Sequence, residues 1–259
     1  MSDWPKVAVI LATYKRTETA LHTIRMLREH LKYPAESLHF HVADDGSGET
    51  DDGTNRWHVG VLTEAIAEFY PEVTYHEMPT PPGRFNTGGN LNHAIRAMQA
   101  NGIEHYYLDF DDWALFRDLD LRPHVDVLSS YPQVGFIRLS YHVPGHGMLS
   151  CGFQCPRLNN ARYMYLRLIR SWSLENPWER DAYLVSTQPA LIHTRFHEAY
   201  GYHPENVNPG LAEMGLSNQY ANSPLGEDGP QILFPIGLEI THAPFDHMVG
   251  RAHHYAALG

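Results

Sequence analysis

Cysteine is scarce in this sequence: Cys151 and Cys155, both within "CGFQC", are the two it has in 259 residues. That count excludes a disulfide-stapled scaffold, and without a second pair a cysteine-based zinc site lacks ligands, so free thiols are expected. Basic side chains are also outnumbered, 19 Lys and Arg against 30 Asp and Glu, for a formal net charge of -11. Proteins that hold nucleic acid or anionic membrane mainly by charge carry the opposite balance, so neither is a favoured partner. No run approaches the roughly 20 apolar residues that cross a bilayer. The start "MSDWPKVAVILATYKR" lacks the basic opening and small-residue cleavage site of a signal peptide, and the expected location is the cytoplasm. What is present, 43% apolar and 19% charged residues, is the composition of a globular protein with a sizeable core.

Strand and helix patterns alternate through the first 112 residues. "KVAVILA", residues 6–12, is a continuous β-branched and apolar run, the mark of a strand buried on both faces. "TETALHTIRMLREHL" follows with Leu21, Ile24, Leu27 and Leu31 at helical spacing, and Thr17 or Thr19 is available as its cap. "SLHFHVADDGSGETDDG" reads as a strand running into a loop, "NRWHVGVLTEAIAEFY" as a helix and "VTYHEM" as a short strand. The helix "LNHAIRAMQANG" is closed by Gly102, and "EHYYLDFDD" is a fourth strand. This order predicts a parallel α/β sheet flanked by helices. Ligands in such sheets bind beyond the carboxyl ends of the strands, where Thr13, Tyr14, Asp44, Asp45, Asp109, Asp111 and Asp112 all fall.

After residue 112 the pattern loosens. "RPHVDVLSSY" reads as a helix, "VGFIRLSY" as a strand, and about fifty aromatic-rich residues follow without a clean period. "TQPALIHTRFHEAYGY" resumes strand and helix. "NPGLAEMGLSNQYANS" has Asn208 placed as N-cap and Pro209 at the first helical position, and "QILFPI" and "LEITHA" close the chain as strands. No repeat or linker interrupts this course, which predicts one domain over 1–259, with a nucleotide-sugar-binding half at 1–115 and an acceptor-binding half at 116–259.

The segments "VAVILATYKR", "VADDGSGETDDG", "GRFNTGGNLNHAIRAM" and "YYLDFDDWAL", in this order and spacing, resemble the family 2 glycosyltransferases of the GT-A fold over residues 6–140. The resemblance implies a Rossmann-like, mostly parallel sheet and transfer of a sugar, with inversion, from a nucleoside-diphosphate sugar to a hydroxyl acceptor. It implies a divalent cation, Mn²⁺ or Mg²⁺, held by carboxylates against the diphosphate leaving group. Asp111 would be the direct metal ligand, with His242 and then His247 of "ITHAPFDHMVG" as further ligands. Asp109 would lie near the ribose or a metal-bound water. Thr13 and Tyr14 would lie against the nucleobase, Asp45 would accept its N–H, as suits a uridine donor, and Arg16 completes that end of the donor site. Arg84 would reach the diphosphate beside Gly88, Gly89 and Asn90 at a helix N-terminus.

For the base that deprotonates the acceptor, "GLAEMGLS" offers Glu213 and "LGEDGP" offers Asp228, in that order. Trp113, Trp172 and Trp178 read as packing rather than sugar platforms. A sugar-phosphate nucleotidyltransferase would want a Gly-rich loop where this chain has "ATYKRTE", and an aspartyl phosphatase would carry its acid pair after the first strand. A catalytically degenerate nucleotide or glycan binder is the non-enzyme alternative. The acceptor class stays open among glycan, small molecule, protein and modified nucleobase.

Overall fold

The computed structural model describes residues 4–45, 54–77, 86–139, 151–154, 163–168, 184–185, 188–226, 228–237 and 245–247. The first half contains β1 (Val7–Thr13), α1 (Thr17–His30), β2 (Leu31–Lys32), β3 (Leu38–Asp44), α2 (Thr54–Ala67), β4 (Glu72–Glu77), α3 (Thr87–Ala100) and β5 (His105–Phe110). The rest contains β6 (Trp113–Leu115), β7 (Leu119–Asp120), α4 (Arg122–Ser130), β8 (Val134–Arg138), β9 (Cys151–Gln154), β10 (Tyr163–Leu168) and β11 (Ala190–His193). It closes with α5 (Arg195–Tyr200), α6 (Pro209–Ala221), β12 (Gln231–Gly237) and β13 (Phe245–His247).

A nine-stranded sheet in the order β4-β3-β1-β5-β11-β8-β12-β10-β9 runs through both halves. Strand β1 sits between β3 and β5, parallel to both, and every one of its residues is buried. Its period of two sends Val7, Val9 and Leu11 into a core shared with Ala20, Ile24 and Leu27 of α1. Ala8, Ile10 and Ala12 face the other core, with Leu91, Ile95 and Met98 of α3, Phe196 of α5 and Leu216 of α6. Each large apolar side chain so buried contributes about 1.5–3 kcal/mol, which is why an all-apolar strand settles between two helical layers.

Strand β11 is antiparallel to both β5 and β8, and β12 is parallel to β8. It follows that β1, β3, β4, β5, β8 and β12 all point the same way, and the sheet has one carboxyl edge. Helix starts differ from expectation at two places. Helix α1 is entered through Arg16 at the N-cap, with no side-chain cap, after Lys15 at φ 54. Helix α3 begins at Thr87, ahead of the apolar stripe, because the Asn86 side chain caps it by accepting from the Gly89 amide at 3.2 Å. Gly102 ends α3 with φ 70, and Asn208 caps α6 by accepting from the Leu211 amide at 2.9 Å. The strand expected at "LEITHA" falls outside the described residues.

Candidate active site

The ladder between β1 and β5 extends one residue beyond β5, through the Asp111 amide donating to the Ala12 carbonyl at 3.0 Å. Thr23 of α1 fixes the bend that follows: its hydroxyl donates to the carbonyls of Asp111 (3.1 Å) and Trp113 (2.9 Å). The Asp111 carboxylate then lies inside the β1–α1 turn. Its Oδ2 accepts from the Thr13 hydroxyl at 2.9 Å and the Tyr14 amide at 3.1 Å. Its Oδ1 is buried, accepts no hydrogen bond, and faces the Arg16 Nη2 at 3.1 Å as an ion pair. The other Arg16 nitrogen, Nη1, donates to Asp112 Oδ2 at 2.8 Å. Burial pushes the Asp111 carboxyl up to about 7; Arg16 pulls the other way and the neighbouring Asp112 adds to the rise. Thr13, Tyr14, Arg16, Asp111 and Asp112 thus form one connected group at the carboxyl edge.

Asp109 does not join them. It is fully buried on the face of β5 that also carries Tyr107, accepting from the Tyr107 hydroxyl at 2.8 Å and the Phe110 amide at 2.9 Å. Burial raises its carboxyl well above the ordinary range against those hydrogen bonds. Asp109, expected near the ribose or a metal-bound water, is thus held inside the protein by Tyr107, which stands two residues before it on the same face of β5.

Asp45 lies at the expected edge, but its carboxylate is turned into the protein. Oδ1 accepts from the Asn86 amide (2.9 Å) and the Asn90 side-chain amide (3.0 Å), and Oδ2 from the Thr87 hydroxyl (2.7 Å). It ties the end of β3 to the first turn of α3. The glycines of that turn answer to protein contacts as well. A Cβ on Gly88 would overlap the carbonyl oxygen of Pro204, and one on Gly89 would overlap the Asn86 side chain. The segment that presses on them is pinned by Asn92, which bonds the His203 backbone in both directions, and by the Asn206 amide donating to Asn86 Oδ1 at 2.8 Å. The amide of Gly89 donates inside this cap, to Asn86 Oδ1.

The two candidate bases separate by strand direction. Gly215 of α6 packs on Pro204, which in turn abuts Gly88, so the first turns of α6 lie beside the start of α3 at the carboxyl edge. Glu213, half-buried, is in this part of α6. At the other end of the helix the Tyr220 hydroxyl donates to Gln231 at 3.2 Å, where β12 begins. Asp228, exposed, sits in the turn just before that start, and Gln231 pairs with Val134 at the beginning of β8. Asp228 therefore lies at the amino edge, a strand length of about 20 Å or more from the acidic group, and the structure does not bring the two together.

Of the expected histidine ligands, His242 lies outside the described residues, as does Arg84. Strand β13 pairs antiparallel with β6, setting the His247 backbone opposite Trp113, two residues past Asp111. Trp113 itself is buried in the core, as the packing reading has it. Trp172, Trp178 and Cys155 lie outside the described residues.

Sequence reasoning missed Thr23 and the histidines. Thr23 occupies a core position of α1, with Ala20, Ile24 and Leu27 around it, and a lone hydroxyl in an apolar stripe is the signal that marks it. His41 and His76 are buried and hydrogen-bonded to each other at 2.8 Å, and His93 meets His76 edge-on. Their alternation with apolar residues in "LHFHVA" and "VTYHEM" reads from sequence as an exposed face.

No protein-family model matches the sequence, and no curated protein matches it. Solved structures do match in fold. A mannosyltransferase, PcManGT from Pyrobaculum calidifontis, in complex with GDP-Man and Mn²⁺, aligns at 15% identity and TM-score 0.52 over 92% of this chain and 59% of its own. Residues 1–349 of TarS from S. aureus align at 14% identity in two complexes. With UDP the TM-score is 0.55 over 88% of this chain, and with UDP-GlcNAc it is 0.52 over 94%, each covering 60% of the TarS chain. The present chain spans about 60% of the length of these solved chains. What it shares with these glycosyltransferases is the GT-A-like fold, an α/β architecture around a mostly parallel central sheet.

Proposed function

We propose that the chain is a divalent-cation-dependent, inverting glycosyltransferase that moves a sugar from a nucleoside-diphosphate sugar to a hydroxyl acceptor. The donor would be held by residues 1–115 and the acceptor by 116–259. One observation carries the reading: the Thr13–Tyr14–Arg16–Asp111–Asp112 group meets at the carboxyl edge of a parallel sheet, where such folds bind their ligands. The sugar nucleotides and Mn²⁺ held by the solved structures of like fold support it.

The residues present fit a hard dication. Carboxylate oxygens are its preferred ligands, and Asp111 Oδ1 is a buried acceptor without a hydrogen bond. Asp111 and Asp112 would hold the cation, with His247 or His242 as a further ligand. When bound, it would neutralise charge on the departing diphosphate. Thr13 and Tyr14 would face the nucleobase, and Arg84 the diphosphate. Asp45 and Asn90 would act through α3, by fixing its first turn, rather than by touching the donor. Glu213 would take the proton from the attacking hydroxyl as the sugar–oxygen bond forms and the sugar–phosphate bond breaks, and the nucleoside diphosphate would leave with that bond's electron pair. UDP-sugars are the first donors to test, since TarS holds UDP and UDP-GlcNAc.

Calorimetric titration of UDP in the presence of Mn²⁺ tests the reading. Wild type is expected to bind and Asp111→Asn to lose the Mn²⁺-dependent part of the affinity. Equal Mn²⁺-dependent affinity in both would remove Asp111 from the metal site.

A further inference from the structure

We propose that Arg16 is a resident counter-cation for the acidic pair and must leave before Asp111 and Asp112 can take a divalent cation. The inference rests on the metal reading above and adds a competitor that belongs to the chain itself. A single guanidinium bridges both carboxylates, 3.1 Å from Asp111 Oδ1 and 2.8 Å from Asp112 Oδ2. The other oxygen of Asp111 is engaged by Thr13 and Tyr14. Arg16 thus offsets part of the repulsion between two neighbouring carboxylates, one of them buried.

The same geometry makes Arg16 and a metal ion mutually exclusive. A dication ligated by Asp111 Oδ1 would lie within a few ångström of the guanidinium, and two cations that close repel strongly. The two acids are more buried, Asp111 1% and Asp112 15% exposed, whereas the Arg16 side chain is 41% exposed and has solvent to move into. The arginine is therefore the partner that yields. A departing Arg16 carries its positive charge along the mouth of the site, where an incoming diphosphate would attract it. Donor and metal should then bind with positive coupling, each easing the removal of Arg16 from the acids.

The test is Mn²⁺ affinity measured by electron paramagnetic resonance without nucleotide, in wild type, Arg16→Gln, Arg16→Lys and Asp111→Asn. Arg16→Gln should bind Mn²⁺ at least about tenfold tighter than wild type, Arg16→Lys should fall between them, and Asp111→Asn should not bind at this site. A purely structural role for Arg16 would leave affinity equal or weaker in Arg16→Gln, and that result overturns the inference while leaving the metal reading intact. Absence of Mn²⁺ binding in every variant, with UDP present as well, overturns both. Should Arg16→Gln fold poorly, Mn²⁺ should raise its melting temperature more than that of wild type; an equal or smaller rise counts against the inference.

Discussion

Lowering the pH from 7 to 5 should take this protein to the edge of unfolding, and the cause is its buried histidines. Burial lowers His41, His76, His105 and His197 to about 4 and His193 and His203 to about 3, from an ordinary 6.5. Because the folded values are depressed, the unfolded chain binds more protons between about 4 and 6.5. Stability is therefore complete above that window and lost as pH falls through it. Between pH 7 and 5 each such histidine costs about 2 kcal/mol by this linkage. Asp109 and Asp111 act in the opposite sense, since burial raises both and the folded state keeps their protons as pH falls. Asp111, pushed up to about 7, returns about 2 kcal/mol over the same interval, and Asp109 offsets the loss in the same sense. The six histidines outnumber the two acids, and the net loss is several kcal/mol, comparable to the whole stability of an ordinary domain. His76 meets His93 of α3 and His203 packs on Gly88 at its start, so that helix should be lost along with the fold. Urea denaturation followed by circular dichroism at half-unit pH steps measures this directly. A midpoint that is flat or rises from pH 7 to 5 would refute the reasoning.

Glu213→Gln should leave donor binding intact and lower turnover by roughly 10² to 10⁴, the usual contribution of a positioned base, while Asp228→Asn should change it little. The reverse result in steady-state kinetics would show that the acceptor enters from another direction. Gly88→Ala forces a methyl into the Pro204 carbonyl and should cost about 1–3 kcal/mol of stability, read as a lower melting temperature; an unchanged value would mean that the 203–206 segment moves freely. Asp45→Asn alters the acceptor of three hydrogen bonds to the start of α3. It should destabilise by about 1–3 kcal/mol and weaken donor binding through the shifted helix, whereas lost binding at unchanged stability would restore Asp45 as a direct nucleobase ligand.

Much of the frame was legible because it depends on short-range pattern. The run "VAVILAT" can be buried on both faces only within a covered parallel sheet, and Asn208-Pro209 announces a helix start from two adjacent residues. The carboxyl-edge rule then gathers Thr13, Asp45 and Asp111 without knowledge of side-chain directions. What the sequence could not tell depends on segments that meet from far apart. Asp45 resembles a free strand-end acid until residues 86–90 fold back onto it. Asp109 looks equivalent to Asp111 until Tyr107, on the same face of β5, claims it. Glu213 and Asp228 are close in sequence and separate only once β12 is known to run parallel to β8, which fixes the edge on which its leading turn lies. Gly88 and Gly89 read from sequence as room for a diphosphate, whereas in the fold the Pro204 carbonyl presses on Gly88 and the Asn86 side chain on Gly89.

The central claim is that the acidic group at the sheet edge binds a nucleotide sugar together with a divalent cation. A thermal-shift panel of UDP-, GDP-, CDP- and TDP-sugars, each with Mn²⁺ and with EDTA, tests it most directly, because a ligand that binds the folded state raises the melting temperature by mass action. The account predicts a rise with one nucleotide class that disappears in EDTA and in Asp111→Asn. No rise with any donor, or one that survives both EDTA and the substitution, would contradict it.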